Sequence, residues 1–386
     1  MVQKRKPNRS KQRIVLVLQG GGALGAYQAG VYEALHEHDL SPDWIVGTSI
    51  GAINAAIIAG NHRDCRIERL REFWHTVSFD DLVDMNKIPD AARQFNTWLT
   101  TVNATTQGVP GFFKPRFANP FAAGLPVAPE MASFYDTGPL TETLKRLVDF
   151  DYLNAPGGMR LTVNAMKVTT GQLVNFDSQT HNMCLDHIMA SGALPPGFPP
   201  VRINGDLYWD GGLFSNTPLE TVLEDEPRAD TLCFMVDLWS AIGQEPTTFD
   251  EVQTRQKDVT FASRSKLHID DYLRMHQLRR VVRSMYESLP PEMRTADIHK
   301  ALAAVGSDTT MHIVRLAYAG RDWHMASKDI NFSKGSIDWR WQQGYRDAKR
   351  AVENAAWMRV VPQETGVIVH EMVAPGDSFT ETHAKE

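Results

Sequence analysis

Two glycine turns, each set between a short apolar run and a helical pattern, constrain the fold of this chain more than any other feature. The first run, Arg13-Ile14-Val15-Leu16-Val17-Leu18, is continuously apolar after its first residue and reads as a short strand buried on both faces. It ends at Gly20-Gly21-Gly22, and from Ala23 to His38 apolar residues return at helical spacing (Ala26, Ala29, Val31, Leu35). The second run, Trp44-Ile45-Val46, ends at Gly47-Thr48-Ser49-Ile50-Gly51 and passes into an Ala/Ile-rich helix from Ala52 to Ala59. The repeated order of strand, turn and helix is that of a parallel α/β sheet whose turns collect along one edge.

The remaining chain supports such a sheet with additions. At 386 residues, with 42% hydrophobic, 22% charged and 9% aromatic residues, it can bury a large core. The 40 basic and 46 acidic residues leave a net charge of -6, which sets up no global field for nucleic acid or an acidic membrane. The exception is the first thirteen residues, where Lys4, Arg5, Lys6, Arg9, Lys11 and Arg13 face no acid. A solvated basic tail is the expected state, with contact to an anionic surface as the alternative. The apolar run up to Leu18 is too short for a secretory signal, and the stretch 45–60 is broken by glycines, Ser49 and Asn54, so no membrane span is expected. Cys65, Cys184 and Cys233 are too few and too scattered for a disulfide framework or a metal cluster, which points to a reducing, cytoplasmic compartment and no metal.

Along the chain, a helix is expected near Ile67 to His75, after which regular patterning lapses until Pro139. Prolines 110, 115, 120, 126, 129 and 139 are interleaved there with Phe112, Phe113, Phe117 and Phe121, so the segment 76–139 reads as a covering loop or a lid. Helices follow at 140–148 and 186–191, and strands at 160–166, 171–177, 231–236 and 312–318. Residues 252–305 are helical and charged, and Ser336 looks like the cap of a helix running to about Trp357. The expected organisation is a basic tail (1–12), an α/β domain (13–239), a mainly helical extension (240–374) and a loose tail (375–386).

Three constellations carry candidate chemistry. Gly47-x-Ser49-x-Gly51 lies at a strand-to-helix junction, where flanking glycines permit a tight turn that lifts a serine Oγ above the sheet edge. Gly20-Gly21-Gly22-Ala23-Leu24-Gly25 fits the dinucleotide fingerprint, but the second strand ends in Gly47-Thr48-Ser49 rather than in an acid that could hold a ribose. The same run also suits an oxyanion hole, because it offers backbone N–H groups near a helix start. Asp210-Gly211-Gly212 places an acid on a backbone that can approach another loop closely; a hairpin turn is the plainer alternative. A carboxylate shielded from water can serve a serine as base without a histidine between them.

With Val168-Thr169-Thr170-Gly171 and Ala190-Ser191-Gly192-Ala193-Leu194-Pro195, these segments stand in the order found in patatin-like phospholipases, which the chain resembles over residues 13 to 237. The resemblance implies a three-layer α/β/α fold with a mainly parallel central sheet. It also implies a Ser49–Asp210 dyad, oxyanion donors from Gly20, Gly21, Gly22 and Ala23, and supporting roles for Gly25, Gly47, Gly51, Gly211 and Gly212. The implied reaction is hydrolysis of a phospholipid or lysophospholipid ester through an acyl-enzyme, with no cofactor. Leu24 departs from the Arg or Lys of many relatives, which leaves oxyanion strength open. His268, His276, His299, His312 and His324 follow Asp210 in the order a triad would need, but none adjoins a comparable turn, and ordinary polar or core histidines are expected. The rival readings are hydrolysis of another acyl ester, such as a storage polyester, and a non-catalytic scaffold. The charged helices of the extension read as a solvated face, with dimer or membrane-surface contact as the alternative.

Overall fold

The computed structural model describes residues 12–80, 100–116, 126–262, 265–295, 297–319, 326–358 and 366–371. The basic tail up to residue 11, the stretches 81–99 and 117–125 of the expected covering loop or lid, His324 and the tail from 372 lie outside these residues.

The chain opens with β1 (Arg13–Leu18), α1 (Ala26–Glu37), β2 (Trp44–Gly47) and α2 (Ile50–Ala59). Val15 to Leu18 and all of β2 are buried, as the uninterrupted apolar runs require. Every residue of α2 is buried, whereas α3 (Arg66–Thr76) buries a stripe of Leu70, Phe73 and Trp74. The irregular insertion contributes a hairpin of β3 (Lys114–Pro115) and β4 (Tyr135–Asp136). Its Phe112 and Phe113 pack on Phe198 with ring centroids 6.0 and 5.2 Å apart, so this part covers the core.

Next come α4 (Gly138–Leu147), α5 (Phe150–Asn154), β5 (Arg160–Lys167), β6 (Leu173–Asp177) and α6 (Leu185–Ser191). They lead to β7 (Val201–Ile203), β8 (Asp206–Asp210), α7 (Leu219–Leu223) and β9 (Thr231–Asp237). The C-terminal region holds α8 (Phe249–Phe261), α9 (Ser265–Ser288), α10 (Asp297–Val305), β10 (Met311–Ala317), α11 (Lys334–Asn354) and β11 (Val367–Glu371).

These strands form one sheet in the order β11-β10-β9-β1-β2-β5-β8-β7, with β6 also on β5. Pairing is parallel from β11 to β5 and antiparallel for β6, β7 and β8. Alternate residues of β1 enter different cores: Leu16 and Leu18 pack with α1 and α2, while Val15 and Val17 pack with Leu219 of α7 and Ile269 of α9. Helices therefore cover both faces, giving the three-layer α/β/α arrangement with a largely helical C-terminal region. Strand β11 was not among the expected elements, because its run of Val367, Ile368 and Val369 is short and carries no turn signals; β10 sets its register. The last helix begins at Lys334, ahead of the expected cap, and Ser336 is buried, accepting a hydrogen bond from Ser333 at 3.0 Å. Among the described residues no helix is long and apolar enough to cross a membrane.

The C-terminal region is tied to the start of the chain through α11 on α1. A Cβ at Gly30 would stand 1.9 Å from the Trp341 carbonyl oxygen, and one at Gly344 2.0 Å from that of Tyr27. The two backbones touch where neither has a side chain. Gly344→Ala must push the helices apart, and an overpacking loss of about 1–3 kcal/mol is expected in urea unfolding. A variant as stable as the parent would show that this crossing is not close-packed.

Candidate active site

Strand β5 is the ruler that brings the two candidate loops together. Strand β2 pairs in parallel with its first half, ending with Gly47 opposite Val163. Strand β8 pairs antiparallel with its second half, ending with Asp210 opposite Ala165. Strand β6 spans Thr162 to Met166 and overlaps both pairings, so it occupies the other edge of β5. It follows that β2 and β8 share one edge and run toward each other, stopping two β5 residues apart, or about 7 Å. The turns that follow them have to meet.

The turn after β2 holds Ser49 at φ 56° and ψ -123°, a left-handed conformation that is costly for a residue with a side chain. Its neighbours leave no alternative to glycine. A Cβ on Gly47 would lie 2.4 Å from the Gly51 carbonyl oxygen, and one on Gly51 2.2 Å from that of Leu18. The Ser49 N–H donates to Ser191 Oγ at 3.0 Å, and the side chain stands at the start of α2, partly open to solvent.

The turn after β8 holds Asp210, which is 2% exposed. Its backbone N–H donates to the Ala193 carbonyl at 3.0 Å, and its carboxylate accepts the Gly212 N–H at 2.7 Å and a hydrogen bond from the Ser49 side chain. Burial pushes the carboxyl pKa up to about 7, against the opposing pull of those two hydrogen bonds. Asn164 of β5 links the loops: its Oδ1 accepts from Thr48 Oγ1 at 2.7 Å, its Nδ2 donates to the Ser215 carbonyl at 3.2 Å, and a Cβ on Gly211 would meet Oδ1 at 2.4 Å.

The described histidines of this set stand elsewhere. His312 and His370 stack on each other with Nδ1 and Nε2 3.0 Å apart. His312 is level with Leu232 and Ile14, near the start of the parallel strands, whereas Ser49 follows a strand end. His276 is buried on α9 against Gly366, and His299 lies on α10. The side chain of His268 lies outside the described residues, as does His324.

The glycine turn adjoins Ser49, since a Cβ on Gly20 would lie 3.1 Å from Ser49 Cβ. The Gly20 N–H, however, donates to the Asn216 carbonyl at 3.1 Å, which removes it from the expected set of oxyanion donors. Gly21 precedes a 3-10 turn, Gly22–Gly25, and the amides of Gly21, Gly22 and Ala23 lead into it where no intrahelical acceptor precedes them. Gly22 has φ +54°, and a Cβ there would meet the Asp329 carbonyl oxygen at 2.3 Å. Leu24 is fully buried in the core, and a Cβ on Gly25 would lie 2.5 Å from Ile50 Cγ1, so the starts of α1 and α2 nearly touch.

Buried polar side chains hold this turn. Gln19 accepts from the Leu238 and Trp239 amides and donates to Thr217 Oγ1 at 2.7 Å. Its carbonyl accepts from Gln28 Nε2 at 2.6 Å, Gln28 accepts from Asn54 at 3.0 Å, and Asn54 accepts from Trp74 Nε1 at 3.1 Å. Sequence reasoning gave no role to Gln28, Asn54 or Asn164. The available signal was an amide side chain on an otherwise apolar helix or strand, where a buried polar group needs a partner.

Fold and site together define a three-layer α/β protein with a serine elbow facing a buried carboxylate. A family model described as patatin-like phospholipase matches residues 16–223, more than half of the chain, and the chain belongs to that family. A second, described as patatin phospholipase, matches residues 259–364. The chain is similar to lysophospholipase NTE1 of Candida glabrata, with 26% identity over 243 residues, which is 63% of this chain and 11% of that protein. It is also similar to triacylglycerol lipase ptl3 of Schizosaccharomyces pombe, with 38% identity over 79 residues, 20% of this chain and 16% of that protein. The matched region is thus a small part of both relatives. Among solved structures, VipD from Legionella pneumophila aligns over 91% of this chain and 70% of its own, with 12% identity and a TM-score of 0.38.

The raised pKa of Asp210 has a consequence for stability. The unfolded chain releases this proton near pH 4 and the folded chain near pH 7, so between those values the native state holds more protons and the residue disfavours folding as pH rises. Asp210→Asn cannot ionise. Its melting temperature relative to the parent is expected to climb between pH 5 and pH 8 in parallel thermal melts. A constant difference would contradict the shift.

Proposed function

We propose that the chain hydrolyses carboxylic esters of lipids, phospholipid or lysophospholipid, through an acyl-enzyme. The observation that carries this reading is the meeting of Ser49, held on a strained turn after β2, with a buried carboxylate at the end of β8 whose pKa lies near neutrality. As a carboxylate, Asp210 accepts the Ser49 proton while Oγ attacks the acyl carbon, and the amides of Gly21, Gly22 and Ala23 face the oxyanion that forms. Each such donor contributes about 3 kcal/mol to the transition state. Collapse breaks the ester C–O bond, and the leaving alcohol takes the proton from Asp210. Water then attacks the acyl-Ser49 ester by the same route in reverse. A base with a pKa near 7 suits this cycle, because it is ionised often enough to accept a proton and acidic enough to return it. The names of the relatives, lysophospholipase and triacylglycerol lipase, both denote lipid ester hydrolysis, which supports this reading.

Ser49→Ala and Asp210→Asn are each expected to lower kcat/KM for p-nitrophenyl butyrate by roughly 10³-fold or more, with the fold retained by circular dichroism. Near-parental turnover by folded Asp210→Asn would remove Asp210 as the base. In the parent, log kcat/KM is expected to rise with pH and level off near pH 7, since only the carboxylate form accepts the proton. A profile flat from pH 5 to pH 8 would exclude a base of that pKa.

A further inference from the structure

Helix α8 is amphipathic in the inverted sense. Its charged residues are paired or capped away from one face, with Asp250 still exposed in the first turn. Asp250 faces the Ala326 amide, Glu251 closes a capping box with Thr248, and Arg255 donates to the Ser240 and Ala241 carbonyls. Lys257 pairs with Asp329 at 2.8 Å, and Asp258 pairs with Lys328. The solvent side is left to Phe249, Val252, Gln253, Gln256, Val259 and Thr260, all exposed and none charged. Phe249 is 78% exposed, and an apolar stripe of this kind costs free energy in water unless something covers it.

The C-terminal end of α8 abuts the glycine turn beside Ser49. At the C-terminal end of α8, the Phe261 carbonyl accepts from Gln19 Nε2 at 3.2 Å and from Asn216 Nδ2 at 2.8 Å, the side chains that brace Gly20. Asp329, the partner of Lys257, lies against Gly22. Three further exposed apolar residues lie on segments that adjoin the site. Ile242, 89% exposed, follows Trp239, whose Nε1 donates to the Gly20 carbonyl at 2.8 Å; Leu213 and Phe214 directly follow Asp210-Gly211-Gly212.

We propose that the outer face of α8, with Ile242, Leu213 and Phe214, is the surface by which the protein docks on an uncharged or zwitterionic lipid surface that carries its ester substrate. This rests on the proposed ester hydrolysis at Ser49. A second copy of the chain on the same face would cover the mouth beside Gly20, whereas a lipid surface seated there delivers acyl esters to it. With no unpaired charge on the α8 face, attraction is apolar and insensitive to salt.

The test separates docking from chemistry. Ser49→Ala protein, alone and combined with Val252→Glu and Val259→Glu, is sedimented with phosphatidylcholine vesicles at low and at 0.5 M salt, so that binding is read without turnover. Otherwise native enzyme with the two glutamates, and a milder Phe249→Ser variant, are assayed on vesicle-borne ester and on soluble p-nitrophenyl acetate. The proposal expects salt-independent binding, a loss of about tenfold for each apolar side chain replaced, and an equal loss on vesicle ester, with melting temperature and soluble-ester turnover retained. Undiminished vesicle binding by the double-glutamate variant, binding abolished by salt, or a native dimer that the glutamates dissociate would each overturn it. Should Ser49 prove not to be the nucleophile, the sedimentation result still stands on its own.

Discussion

Everything in the site depends on two strands sharing one edge of β5 from opposite directions. Because β2 stops opposite Val163 and β8 stops opposite Ala165, the loops carrying Ser49 and Asp210 have nowhere to go except toward each other. A slip of one residue in either pairing would turn its side chains to the other face of the sheet. Asn164 lies between these two register points and binds both loops, so register and loop contact are fixed by the same strand.

That convergence is held against opposing costs. The left-handed backbone at Ser49 costs about 1–3 kcal/mol. Each of Ile50, Ile53, Ile57 and Ile58 on α2 is buried, and burial of one such side chain contributes about 1.5–3 kcal/mol. Packing of the helix therefore outweighs the strain at its first turn. Asp210 shows the complementary balance: two hydrogen bonds favour its charged form, yet burial wins and leaves it near neutrality. Had the Gly212 amide and the Ser49 hydroxyl been joined by a cation, the carboxylate would be a weaker base.

Much of this was legible in the sequence because glycine punctuates it. Gly47, Gly51 and Gly211 stand where a Cβ would strike the backbone or the Asn164 side chain, and such positions announce close approach without any structure. What the sequence concealed was partner choice. A run of glycine amides reads as uniform, but the Gly20 N–H is taken by Asn216, about two hundred residues away. Strand β11 borrows its register from β10 and carries no signal of its own. Helix α8 reads as a charged, solvated helix, and only the positions of Asp329, Lys328 and the Ser240 carbonyl reveal that Lys257, Asp258 and Arg255 turn inward.

The most direct measurement is the site and rate of covalent labelling by a fluorophosphonate, read by mass spectrometry of the digested protein. If the hydroxyl is activated by the carboxylate it meets across β5, the parent carries the adduct on Ser49, and folded Asp210→Asn labels slower by orders of magnitude. An unlabelled Ser49, or one labelled equally fast without the Asp210 carboxylate, would contradict the account.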